Sequence, residues 1–136
     1  MKTVGRNALM NSILITSGLI QISFAVFQGW LIAAMYGGTI KRFGPIVNAK
    51  RVLQCHIDNI LMSLLQFAIA AVHPAIPEGA GWLIIIGSWV NAQLFLVHAT
   101  SEKGYVQNRV VSLITLASFS TLTIGYPWLL YAWLTR

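Results

Sequence analysis

The chain has 136 residues, 57% of them hydrophobic and only 9% charged, with a mean hydropathy of +0.71. A water-soluble domain carries charge on about a quarter of its residues, and three acids, Asp58, Glu78 and Glu102, cannot clothe a soluble surface. The net charge of +6 lies in short basic pockets beside apolar runs and not along one helix face, which reads as a topology signal and not as a nucleic-acid surface.

The expected class is therefore all-α, an integral membrane four-helix bundle of antiparallel up-down topology, forming one domain over 1–136. A span needs about 20 mostly apolar residues. The first runs from about Ala8 to Tyr36 and ends before Gly37-Gly38. Lys2 and Arg6 resemble the start of a signal peptide, but Asn11, Thr16, Ser17 and Gln21 interrupt an overlong apolar stretch, so the span is expected to be retained. The second runs from about Val52 to Val72, stopped by Pro74 and Pro77, since proline lacks the amide donor a helix needs. The third covers about 80–99. The fourth covers about 110–134 with a kink expected at Pro127. The first and third connections carry Lys41, Arg42, Lys50, Arg51, Lys103 and Arg109; the other side carries Lys2, Arg6 and Arg136. Basic loops stay in the cytoplasm, which places both these connections inside a bacterial-type cell membrane and both termini outside.

Polar residues recur inside these spans, where they are costly and so face the bundle interior. Residues three, four and seven apart share a helix face. His56, Asn59, Ser63 and Gln66 form such a stripe in the second span, and Gly87, Asn91 and His98, with Ser88 alongside, in the third. Asn11, Gly18, Gln21, Ala25 and Gln28 do so in the first. Ser112, Thr115, Ser118, Ser120 and Thr121 supply the fourth. The plain reading of the glutamines and hydroxyls is helix-to-helix hydrogen bonding. His73 is expected at the outer surface, and Trp82, Trp128 and Trp133 in an interfacial belt.

His56 asks for more. A neutral imidazole between helices is a common ligand of haem or a metal. A zinc site lacks its other ligands: there is no His-x-x-x-His and no cysteine pair, since Cys55 is alone, and Asp58 points about 200° around the helix from His56. The lone cysteine also excludes an internal disulfide and thiol oxidation through cysteine pairs. A pre-assembled porphyrin asks least of the protein.

His56-Ile57-Asp58 resembles the histidine, aliphatic, acid motif in the second span of hydroxylaminobenzene mutases, and Gly87-Ser88-Trp89-Val90-Asn91 resembles the glycine, hydroxyl, aromatic, any, asparagine segment of their third. The four spans, the short length and the motif spacing also resemble the related styrene oxide isomerases, from about Arg51 to Thr123. The resemblance implies a membrane-embedded isomerase, a homotrimer holding haem b (Fe3+) with His56 as the axial ligand. Two activities follow from it: rearrangement of a hydroxylaminoarene to an aminophenol, which the motifs favour, or of an epoxide to an aldehyde. Asn91 and Asn59 would orient the departing oxygen, and Trp89 and Phe95 would enclose a developing cation away from water. Asp58 would carry a proton or pair with Arg51. Four positions depart from the pattern. Met62 and Ser63 stand where the family has asparagine and usually glycine, and would line the substrate in their place. Phe95 stands for the epoxide enzyme's tyrosine, and Gly87 for its aspartate. Two readings from other classes are a cytochrome b anchor with His56 and His98 on one iron, and a small four-span transporter. The latter generally carries an acid in the first span, which this chain lacks.

Overall fold

A computed structural model describes residues 2–73 and 75–135, with side chains from Ala8 onward. Pro74, the Arg136 terminus and the side chains of Lys2 and Arg6, used above for helix termination and orientation, lie outside the described residues. The elements are α1 (Lys2–Tyr36), α2 (Ala49–Val72), α3 (Glu78–His98) and α4 (Arg109–Leu134). All four are long and apolar enough to cross a membrane; the shortest, at 21 residues, is about 31 Å long, the thickness of a hydrocarbon core.

The helix ends follow from local chemistry. Asn48 caps α2, its Oδ1 accepting the Arg51 amide at 3.1 Å, so the helix begins three residues before the expected span. Asn108 caps α4 in the same manner at 2.8 Å. His73, which precedes a proline in sequence, takes an extended backbone (φ −92°, ψ 113°) and closes α2. Pro77 opens α3 as its N-cap, where its missing amide costs nothing. α4 continues through Pro127.

Neighbours in sequence pack antiparallel. Asn11 donates to the Ala70 carbonyl while Gln28 meets Cys55, so α1 and α2 run in opposite directions. Gln93 meets Asn59 while Val47 and Asn48 reach the Ala99 carbonyl, which sets α3 against α2. α4 lies outside α3 and approaches no other helix backbone among the described residues. Only 11% of its apolar window is buried. The α3–α4 seam is made by small residues: a side chain at Gly87 would meet Thr121 and Leu122, and one at Gly125 would meet Ile84 and Leu83. Gly87, one of the departures from the family pattern, is thus a place where α4 crosses.

The interior is layered. Met10, Leu14, Ile69, Ile84 and Leu129 form an apolar core at the end near the α2–α3 connection. Toward the other end polar layers follow: Ser17 with Trp89, Gln21 with Gln66 and Ser88, then Gln28 with Cys55, Asn59 and Gln93. There the two basic connections are joined. Arg51 Nε donates to the Gly104 carbonyl, and Asn48 Nδ2 donates to Glu102 O. Gly104 holds φ +68°, and a side chain there would strike Asn48 and Arg51. Both basic loops therefore lie at one end of the molecule, as the charge pattern requires.

Candidate functional site

α2 presents three different flanks. Its inner stripe, Cys55, Asn59, Ser63 and Gln66, is fully buried. Asn59 donates to Gln28 Oε1 (3.1 Å), to the Cys55 carbonyl (2.9 Å) and to Cys55 Sγ (3.3 Å), and its Oδ1 accepts from Gln93 Nε2 (3.0 Å). Gln28 donates in turn to Cys55 Sγ at 2.9 Å. The Asn59 amide hydrogens are thus committed to a clamp across three helices, and the geometry does not offer them to a substrate. Ser63 bonds back to the Ile60 carbonyl at 2.8 Å within the same core, while Met62 is half-buried beside it.

His56 turns to the α1 flank. Its Nδ1 lies 2.8 Å from the Ala25 carbonyl oxygen. A carbonyl only accepts, so Nδ1 carries the proton and the lone pair belongs to Nε2. Gly29, one turn along α1, leaves room for the ring: a side-chain carbon there would lie 3.4 Å from Cε1. A ring anchored through Nδ1–H to a backbone carbonyl is the usual support of a metal-bound histidine. His56 is half-buried, with its donor atom on a flank of the array and not in its packed centre. These residues fit a group that needs one axial ligand. They fit a bare ion poorly, for no cluster of three His, Cys, Asp or Glu side chains exists among the described residues.

Asp58 turns to the third flank, toward α3, about 200° from His56. Its Oδ2 accepts from Asn91 Nδ2 at 2.9 Å. In place of the alternative Asp58–Arg51 pair, Arg51 is held by the Gly104 carbonyl and by Gln54 Oε1, the latter at 2.7 Å. Asn91 and Phe95 line a cleft of about 240 Å³ together with Arg51, His98 and Tyr105. Trp89 donates to Ser17 Oγ at 3.0 Å and borders a neighbouring groove of about 260 Å³ with Gln93. Asp58, Asn91 and Phe95 thus gather on the α3 side, Asn59 and Ser63 lie in the core, and His56 stands across α2 from Asn91.

Other residues occupy places the sequence pattern did not assign. Gln93 and Cys55 complete the clamp; the signal was the cost of a glutamine inside a span. His98 is tied to the α3–α4 connection, its Nδ1 accepting the Val106 amide at 3.2 Å, and its ring lies beside Tyr105. His73, expected at the outer surface, is 5% exposed: Nε2 reaches the Leu129 carbonyl and the ring meets Trp133 edge-on. No family model, curated protein or solved structure matches the chain.

Proposed function

We propose that the chain is a membrane-embedded isomerase that holds haem b through His56 and rearranges a small aromatic substrate, most directly a hydroxylaminoarene to an aminophenol. The observation that carries this reading is the His56 ring, anchored by Nδ1–H to the Ala25 carbonyl with Nε2 left as donor. The sequence resemblance over 51–123 supports it further. Held by His56, a ferric haem would supply Lewis acidity to the substrate oxygen.

The chain's own residues do the rest. Asn91, steadied by the Asp58 carboxylate, orients the substrate oxygen. Phe95 provides an aromatic wall. The surrounding hydrocarbon excludes water, so a rearranging intermediate is not hydrolysed. Because α2 separates His56 from Asn91 within one chain, a substrate that meets both sits where the α1–α2 flank of one copy faces the α3 flank of the next. A closed homo-oligomer, here the expected homotrimer, meets that requirement. The basic charge of loops 1 and 3 supports a site nearer the cytoplasmic side of a bacterial-type inner membrane. Epoxide-to-aldehyde isomerisation is the second reading on the same residues.

The test is an absorption spectrum of detergent-purified protein made with haem available, with and without a small N-hydroxyl arene or an epoxide. A high-spin ferric Soret band that shifts on addition is expected. A low-spin band indifferent to both compounds would favour the electron carrier, and absence of any Soret band would overturn the reading.

A further inference from the structure

The cleft between α3 and α4 is lined by hydrogen-bonding groups whose uncommitted donors and acceptors limit what it can hold. Phe95 and Phe119 both line it, and a neighbouring space of about 360 Å³ shares His98, Tyr105, Thr115 and Phe119 with it. Small-molecule sites have this character: apolar walls with a few convergent polar groups, and volumes of roughly 300–1,000 Å³.

The polar groups are already half committed, and the remainder can be counted. The Val106 amide donates to His98 Nδ1, so that nitrogen carries no proton and the ring's N–H is at Nε2. Arg51 uses Nε on Gly104 and one hydrogen of Nη1 on Gln54, which leaves the other Nη1 hydrogen and both of Nη2. Asn91 gives one Nδ2 hydrogen to Asp58, which leaves the other hydrogen and the acceptor Oδ1. The cleft therefore offers donors from three side chains, Arg51, His98 and Asn91, and one acceptor, Asn91 Oδ1. An oxygen that only accepts, as in an ether or epoxide, uses the donors alone and gives Asn91 Oδ1 no hydrogen to accept. A hydroxyl satisfies both.

We propose that this cleft, formed by Arg51, Asn91, Phe95, His98, Tyr105 and Phe119, is a binding site for a small aromatic compound bearing a free hydroxyl on or beside the ring. The ring lies between the two phenylalanines; the hydroxyl accepts from His98 Nε2 or Arg51 and donates to Asn91 Oδ1. The inference deepens the proposed function and rests on it only for the choice of an aromatic substrate. Within that reading it separates the two reactions, for a hydroxylaminoarene and an aminophenol both carry such a hydroxyl and an epoxide does not.

Binding is read without turnover, by 19F NMR of the purified holoprotein in detergent. The probes are 4-fluorophenol, 4-fluoroanisole and fluorobenzene, each corrected for partition into empty micelles. The phenol is expected to bind about tenfold more tightly than the anisole, the scale of one good hydrogen bond, and the anisole more tightly than fluorobenzene. Asn91→Leu should erase the phenol-to-anisole difference. His98→Ala should erase the anisole-to-fluorobenzene difference. Thr115→Trp, which fills the cleft, should abolish all three, with Phe119→Trp as a second filling variant if the first fails to fold. Equal binding of phenol and anisole by the wild type would overturn the proposal, as would a folded filling variant that still binds the phenol. Loss of the Soret band with binding intact would instead overturn the haem reading alone.

Discussion

His56→Ala is expected to lose both the Soret band and rearrangement, with activity per folded protein falling by more than about 100-fold. Loss of outer groups that merely support a metal-bound histidine already costs roughly 10–100-fold, and here the donor atom itself is removed. The fold should survive, because His56 lies half-buried on the α1 flank and makes one hydrogen bond, to Ala25 O. The measurement is paired: haem content by absorption and turnover of a hydroxylaminoarene, on protein whose helicity is checked by circular dichroism. Full turnover in the haem-free variant would remove haem from the mechanism. Retained haem with lost turnover would move the axial ligand elsewhere.

Asn59→Ala should do the reverse. The side chain makes four hydrogen bonds, to Gln28, twice to Cys55 and from Gln93. At roughly 0.6 kcal/mol for each such bond in a bilayer, their loss costs about 2 kcal/mol. The amides left without partners in a fully buried layer raise that figure further. Turnover per correctly folded, haem-loaded molecule should stay within a few-fold of wild type, since Asn59 holds helices and not substrate. Detergent-unfolding midpoints set against turnover separate the two roles. A variant as stable as wild type with turnover lost would return Asn59 to the catalytic group.

These two residues also mark how far the sequence could be read. The spans were legible to within a few residues, because hydrophobic length is set by the bilayer and caps such as Asn48 shift an end by only a turn. The α2 stripe was legible as well: Asn59, Ser63 and Gln66 are all buried. The glutamines of α1 bond across helices as read, Gln21 with Gln66 and Gln28 with Asn59. What a period cannot encode is which neighbour each flank meets. His56 and Asn59 share one stripe in sequence, yet one meets an α1 carbonyl and the other closes a clamp with α3. The hydroxyls of α4 illustrate a second limit. Ser112, Thr115 and Ser120 bond back to their own helix, and Ser118 alone among these reaches across, to the Gly87 carbonyl at 3.2 Å. A serine in a span can satisfy itself locally, so its presence predicts no partner.

Among the described residues the α4 backbone approaches no helix but α3, and the cleft proposed for ligand lies in that seam, between two helices long and apolar enough to cross a membrane. A greasy compound then reaches the protein sideways from the hydrocarbon, and the quantity that governs occupancy is its mole fraction in the lipid, not its molarity in water. In proteoliposomes at fixed total substrate, added empty vesicles should dilute the compound within the bilayer and lower the rate in proportion, and KM expressed as mole fraction should stay constant. A rate that followed only the aqueous concentration would place the entrance on the water-facing side of the loops.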